Sequence, residues 1–221
     1  MKNKNIIESM RVGAILAIAG GFMDTYSYLV RGHVFANAQT GNIILLGINL
    51  SEGNFPQAIN YLFPVLAFIL GVAFADLIKF RIGEENIVNW RQISLLIEAL
   101  VLFFVAFIPT SLNLLANSLT SFSCAMQVES FRQIHGNSIA TTMCIGNLRS
   151  ATSHICLYFY EEDFSNAKRG FIYYSIILFF ILGAVVGKFC IRLFDQRSII
   201  VCSVILIIAD IIIHINNKSF E

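Results

Sequence analysis

The chain has 221 residues and a formal net charge of +1; 57% of its residues are apolar and 13% are charged, with a mean hydropathy of +0.72. Soluble domains carry about 25% charged residues, so this composition excludes an ordinary soluble enzyme or binding domain. The near-neutral charge and the lack of a basic stripe argue against a nucleic-acid partner. We therefore expect one membrane-embedded domain, residues 1–221, with the lipid bilayer as its partner.

Eight segments follow one another along the chain, and most are long enough to cross a hydrocarbon core of about 30 Å, which takes about 20 apolar residues. They lie at about 12–31, 34–50, 57–80, 90–110, 112–134, 138–160, 170–194 and 197–215. Helices satisfy their own backbone hydrogen bonds in lipid. The sequence therefore predicts an all-α integral membrane protein, a polytopic helical bundle of about six to eight segments.

A polar pattern occurs twice along the chain. It consists of an acidic residue, a Gly-Asn pair about sixteen residues later, and then a Phe-Ile-Leu-Gly segment. The copies are Asp24, Thr40-Gly41-Asn42 and 68–71 in the first half, and Glu129, Ile145-Gly146-Asn147 and 180–183 in the second. This order predicts an internal repeat, about 12–110 and about 112–215, whose second and sixth segments are broken at the Gly-Asn pairs.

The number of complete spans depends on those two segments, which are the weakest in hydropathy. If both cross the membrane, eight spans form two parallel halves. If only the second dips in and returns, seven spans remain, and if both dip, six spans form an inverted repeat of three and three. Basic loops favour the cytoplasm, but counting Lys and Arg in the loops does not choose among these arrangements or fix the side of the N-terminus.

Each half places its carboxylate and its Gly-Asn pair at one depth, about 10 Å from the tip of a helix hairpin that rises 1.5 Å per residue. A charged side chain there costs at least about 2.5–3.5 kcal/mol, so Asp24 and Glu129 should face a bundle interior, a partner or water. They either couple a proton or cation or contact a substrate, or they are satisfied by nearby hydroxyls or an arginine. Arg149, which has no basic counterpart in the first half, could pair with either carboxylate or meet an anionic substrate.

The Gly-Asn pairs also have two interpretations. Gly41 and Gly146 could let a helix unwind or let a ligand approach the backbone. Asn42 and Asn147 would then offer donors and acceptors, as in the broken helices of transporters. Alternatively, the glycines are sites of close helix packing and the asparagines bridge neighbouring segments.

Three stretches, 20–24, 35–42 and 127–148, resemble the YoaK family of small bacterial inner-membrane proteins. The resemblance covers nearly the whole chain and implies a polytopic inner-membrane protein with a transporter-like organisation and no assigned substrate. Two residues depart from the family pattern. Ile145 stands where a threonine is expected before the glycine, and Glu129 lies in a stretch that is usually neutral, so the two halves are unequal.

The sequence thus predicts a secondary transporter or exporter of an unidentified small solute in the bacterial inner membrane. The predicted solute- or ion-binding residues are Asp24, Thr40, Gly41, Asn42, Glu129, Gly146, Asn147 and Arg149. The alternatives are a passive channel and a non-transporting assembly or partner-binding protein. The sequence is compatible with a homo-oligomer. The four histidines lack metal-ligand spacing and no nucleophile-base motif is present, so we expect no metal, no cofactor and no enzyme activity.

Overall fold

The computed structural model describes residues 6–83 and 89–218, and in these residues the chain is almost entirely helical. A short antiparallel hairpin of two strands pairs Gln133 with Ser138. The elements are α1 Met10–Val30, α2 Gln39–Ser51, α3 Phe55–Ile82, α4 Trp90–Val105, α5 Asn113–Ser130, β1 Gln133–Ile134, β2 Asn137–Ser138, α6 Cys144–Glu161, α7 Phe164–Phe194 and α8 Ile199–Lys218. The all-α class is confirmed.

Three stretches are long and apolar enough to cross a membrane: Met10–Val30, Phe55–Ile82 and Phe164–Asn216. The last stretch contains both α7 and α8. Large apolar side chains cover the outside of the bundle, among them Leu70 and Leu178, which are 63% and 65% exposed. An apolar exterior of this kind suits a lipid environment, because lipid tails solvate it and water does not.

Two helix pairs with close backbone contact form the centre of the bundle: α1 packs on α7, and α3 packs on α5. A Cβ atom at Gly183 of α7 would collide with the backbone oxygen of Ile18 in α1, and one at Gly71 of α3 would collide with that of Phe122 in α5. The glycines of the two Phe-Ile-Leu-Gly segments are therefore packing residues that let the helices approach.

One end of the bundle is organised by Arg31, and we refer to it as the Arg31 end. The buried guanidinium of Arg31 donates hydrogen bonds to the carbonyl oxygens of Val105 (3.0 Å) and Ile108 (2.8 Å), which joins the C-termini of α1 and α4. The Tyr26 hydroxyl donates to the carbonyl of Gln196 (3.1 Å), so α7 also ends here.

The opposite end is the Arg91 end. The Arg91 Nε donates to the Ser130 carbonyl (3.1 Å), so α4 begins where α5 finishes. The His135 amide donates to the Glu8 carbonyl (2.8 Å), just before the start of α1. Lys79, in the last turn of α3, lines the same cavity as Arg91 and Glu8. Hence α1 and α4 start at this end, and α3 and α5 finish at it.

The helix α2 begins in the interior of the bundle. After α1 the chain turns through Gly32 and His33, which both have positive φ, and runs back along α1. The Asn37 amide then donates to the Asp24 Oδ1 (2.7 Å) at the level of the second half of α1. Because α3 runs toward the Arg91 end and follows α2 after a short turn, α2 returns to the Arg31 end.

The helix α6 also begins in the interior, but it returns to the other end. Thr142, just before α6, lies against Gly20 in the middle of α1. Further along, Ile155 of α6 packs on Gly170 of α7. Because α7 finishes at the Arg31 end, its first turns lie at the Arg91 end, and α6 runs back to that end. The helical interruptions therefore precede the Gly-Asn pairs, which lie in the first turns of α2 and α6.

The packing role of Gly183 can be tested with Gly183→Ala. The added methyl group meets backbone that cannot move aside, so we expect a loss of about 1–3 kcal/mol in stability and a lower melting temperature in detergent. Gly47→Ala is the matched control: nothing lies within 4 Å of a Cβ there, so the helix should be unchanged or slightly stabilised. Equal melting temperatures for the two variants would contradict this packing.

Candidate functional site

Two asparagine side chains hold the extended segments that precede α2 and α6. The Asn42 Nδ2 donates to the Phe35 carbonyl (2.7 Å), and the Phe35 amide donates to the Asn42 Oδ1 (3.1 Å). Seven residues also separate Asn147 from Ala140, where the same two bonds measure 2.7 and 3.4 Å. Each carboxamide acts like a neighbouring strand and satisfies backbone groups that a buried non-helical segment would leave unpaired. We call these pairs the asparagine clamps.

The segment held by the first clamp is also fixed against α1. The Ala36 amide donates to the Ser27 Oγ (3.1 Å), and the Asn37 Nδ2 donates to the Gly20 carbonyl (3.0 Å). The Asn37 amide donates a hydrogen bond to one oxygen of Asp24. Asp24 is thus held next to the start of α2, and within the described residues its carboxylate forms no ion pair.

A cavity of about 450 Å³ lies between the beginnings of α2 and α6, and we call it the central cavity. Both halves of the chain line it. Its walls are Asp24, Asn37, Ala38, Gln39, Thr40, Phe68, Thr142, Met143, Cys144, Ile145 and Phe180. Phe68 and Phe180 are the first residues of the two Phe-Ile-Leu-Gly segments, so the repeated sequence pattern meets at this cavity.

The two helices that begin at the central cavity have no side-chain N-cap. Ser9, Asn89 and Asp163 cap α1, α4 and α7, whereas α3 and α5 also lack a side-chain cap. Uncapped amide groups at a helix N-terminus carry partial positive charge and attract anionic or hydrogen-bond-accepting groups. The cavity therefore lies in front of two helix N-termini and beside one carboxylate, although the Gln39 and Gly41 amides of α2 already donate to the Asn37 and Ala38 carbonyls.

Two polar atoms in the wall of the central cavity lack partners. The Asn37 Oδ1 and the Thr142 Oγ1 are buried and form no hydrogen bond in the described part of the chain. The two residues are 2% and 3% exposed. Buried polar groups are normally paired, so these two oxygen atoms are exceptions, and each belongs to a residue that lines the cavity. They lie beside the same cavity as Asp24, one from each half.

Only part of the predicted site lies at this cavity. Asp24 and Thr40 line it. The space beside Gly41 is occupied by the Phe35 ring, which is 3.0 Å from where a Cβ would lie. Glu129 forms an ion pair with Arg132 at the Arg91 end and lines the cavity of about 250 Å³ there.

The other predicted residues lie on the far side of α6. Gly146, Asn147 and Arg149 line a cavity of about 570 Å³ between α6 and α7, which we call the α6 cavity. It shares Met143 and Ile145 with the central cavity. Arg149 is exposed and, among the residues that the structure describes, forms no ion pair with either of its predicted carboxylate partners.

A family model for a protein of unknown function (DUF1275) matches residues 12–212. The chain belongs to the DUF1275 family. It is 26% identical over 185 residues to the UPF0700 transmembrane protein YoaK of Bacillus subtilis (strain 168), which covers 78% of this chain and 80% of that protein. The resemblance to the YoaK family is confirmed, and the protein is a membrane protein. No solved structure matches this DUF1275 chain.

The sequence prediction missed several residues of this DUF1275 site. Asn37 and Thr142 were visible as polar residues in the second and sixth segments, but they were not assigned to the site. Each precedes its clamp asparagine by the same number of residues, which is the signal that could have found them. Cys144, at the start of α6, carries no such signal, since only the course of the chain brings it to the cavity.

The asparagine clamps can be tested one at a time. Asn42→Leu removes both bonds to Phe35, at a cost of about 1–3 kcal/mol for each group left unpaired. We expect amide hydrogen exchange at Phe35 to become at least about tenfold faster, with no change at Ala140. Asn147→Leu should have the reverse effect, so each variant is the control for the other. Exchange that rises in both segments together, or in neither, would show that the clamps do not hold them.

Proposed function

We propose that this protein is a secondary transporter of a small solute, which binds in the central cavity beside Asp24. The observation that carries the proposal is the convergence of two uncapped helix N-termini, one from each half, on a cavity that contains a carboxylate at membrane depth. Transporter sites are often formed in this way, by interrupted helices that meet near the bilayer midplane. A charged group inside a membrane segment is by default a candidate for function.

The proposed architecture is six spans, α1, α3, α4, α5, α7 and α8, with α2 and α6 as re-entrant helices from opposite sides. The pattern of helix contacts supports it. The contact of α1 with α7 corresponds to the contact of α5 with α3, and the contact of α1 with α8 corresponds to that of α5 with α4. The direction of each counterpart is reversed, since α1 starts at the Arg91 end and α5 finishes there. We therefore favour the inverted repeat over seven or eight spans.

The distribution of basic residues supports an orientation in the bacterial inner membrane. The Arg91 end carries Arg11, Lys79, Arg81, Arg91, Arg132, Lys168 and Arg169, and the Arg31 end carries Arg31, Lys188, Arg192 and Arg197. Because short cytoplasmic loops are enriched in Lys and Arg, we assign the Arg91 end to the cytoplasm. The start of α1 would then lie on the cytoplasmic side.

A difference between the two clamps favours alternating access over a permanently open pore. The first clamp holds Phe35, whose ring covers Gly41 and stacks on Tyr28 at a centroid distance of 5.0 Å. The second holds Ala140, and nothing lies within 4 Å of a Cβ at Gly146, so the α6 cavity is open beside it. The central cavity would thus be reached from the Arg91 end and closed toward the Arg31 end by Phe35. This is one state of a carrier.

Transport assays with Asp24→Asn test this function. A thermal-shift screen of purified protein against small carboxylates, amines, amino acids, neutral sugars and inorganic phosphate selects the compounds to assay. Proteoliposomes are then loaded with a pH-sensitive or sodium-sensitive dye. We expect at least one compound to drive coupled ion movement in the wild type, and Asp24→Asn to reduce it at least tenfold.

Glu52→Gln is the control for that experiment, because Glu52 is an exposed carboxylate in the turn between α2 and α3. It should retain the wild-type flux. Full activity in Asp24→Asn would remove Asp24 from the mechanism. Flux in the wild type that does not respond to a proton or sodium gradient would identify a passive channel instead.

A further inference from the structure

A second carboxyl group lies inside the bundle, away from the central cavity. Glu98 is halfway along α4 and is 0% exposed. Leu95, Ala99 and Leu102 on the same face of α4 are also buried, at 1%, 2% and 0%. This face packs against α5 and α8. None of the cavities described above is lined by Glu98.

Neither oxygen of Glu98 has a hydrogen-bond partner within the described ranges 6–83 and 89–218. An ionised carboxylate without a partner is among the most costly groups to bury, whereas a protonated carboxyl is neutral and costs far less. A protein that kept Glu98 charged here would give up several kcal/mol of stability. The surroundings therefore favour a Glu98 that holds its proton in this conformation.

A metal cation is a poor alternative occupant of this position. Hard cations take several oxygen ligands, as Ca²⁺ and Mg²⁺ do. The described residues contain no group of three or more His, Cys, Asp or Glu side chains able to hold a metal ion. The nearby Ser203 hydroxyl already donates to the Ala99 carbonyl at 2.6 Å. A proton is the one ion that a single carboxyl group holds without further ligands.

Among the described residues, no charged side chain around Glu98 neutralises it. The titratable side chains that face it are Cys124 on α5 and Cys202 on α8. Both are buried, free thiols in the same apolar core. Within the described residues, no lysine, arginine or histidine forms an ion pair with Glu98.

Two polar side chains of α4 lie between Glu98 and the Arg91 end, on different sides of the helix. The Ser94 Oγ, one turn away, and the Gln92 Oε1 are both buried without hydrogen-bond partners in the described chain. The Gln92 Nε2 contacts the Asp210 Oδ1 of α8 at 3.4 Å. Only Ser94 therefore shares a side of α4 with Glu98, four residues nearer the Arg91 end.

We propose that Glu98 is the proton-carrying group of this transporter, spatially separate from the solute site at Asp24. The carboxyl takes a proton from water at one side of the membrane and releases it to water at the other side as the carrier changes conformation. This inference rests on the proposed transport function, and it names the coupling ion.

Infrared spectroscopy tests the protonation of Glu98 without any solute. We expect wild-type protein in lipid at roughly pH 7, well above the ordinary pKa of about 4.3 for glutamate, to show the C=O stretching band of a protonated carboxyl without hydrogen bonds. Glu98→Gln, which keeps the side-chain volume, should lose this band, and Glu52→Gln should keep it. A wild-type spectrum without such a band at that pH would overturn the proposal, even if Glu98→Gln failed to fold.

Transport measurements test the coupling. The probe is the compound that gives the largest wild-type flux in the screen described above. In Glu98→Gln, exchange of labelled for unlabelled probe at equal pH should stay within about twofold of wild type, while accumulation driven by a pH gradient should fall at least tenfold. In Asp24→Asn, both should fall. Gradient-driven accumulation that survives in Glu98→Gln would overturn the proposal. An absence of flux for every compound in the wild type would instead count against the transport function itself, and the infrared result would then decide the protonation of Glu98 independently.

Discussion

The organisation of this protein depends on one constraint: backbone amide and carbonyl groups inside an apolar bundle must be paired. Helices meet this requirement through their own hydrogen bonds, but the segments before α2 and α6 are not helical. Asn42 and Asn147 meet it by offering a carboxamide to Phe35 and Ala140, with the same two bonds at each position. A chain held in this way can turn inside the bundle, so a helix can begin there.

A helix that begins inside the bundle exposes its first amide groups to whatever lies in front of it. In this protein two such ends meet at one cavity, and neither has a side-chain cap. The glycines at 71 and 183 bring the long helices close enough to enclose that space. Asp24 then lies where its carboxylate can accept hydrogen bonds from amide groups of the Asn37 segment and the start of α2. The packing, the interruption of the helices and the chemistry of the cavity therefore have a common origin.

Much of this could be predicted from the sequence, because composition and hydropathy respond directly to lipid. The all-α membrane class and the position of Asp24 both followed from residue types and their spacing. The course of α2 and α6 could not, since a re-entrant helix and a crossing helix have the same hydropathy. What decides the course is contact with distant residues, such as Gly170 against Ile155.

The choice among carboxylates and the place of Arg149 were harder to predict for a similar reason. Glu129 matched the repeat by spacing, yet it forms an ion pair with Arg132, one turn later, which balances its charge. Glu98 matched no repeat, and its complete burial is visible only in the structure. Arg149 was expected beside a carboxylate, but it lies on an exposed face of α6. The prediction failed because sequence spacing does not determine how a helix is rotated about its axis.

The central claim is that α2 and α6 enter from opposite sides and return to the side from which they came. Single cysteines at Glu52 and Lys168, both exposed, can be labelled with a membrane-impermeant maleimide in intact cells and in inverted vesicles, after the native cysteines are replaced. The six-span arrangement predicts that the two positions react from opposite sides of the membrane. Labelling of both from the same side, as seven or eight spans require, would contradict it.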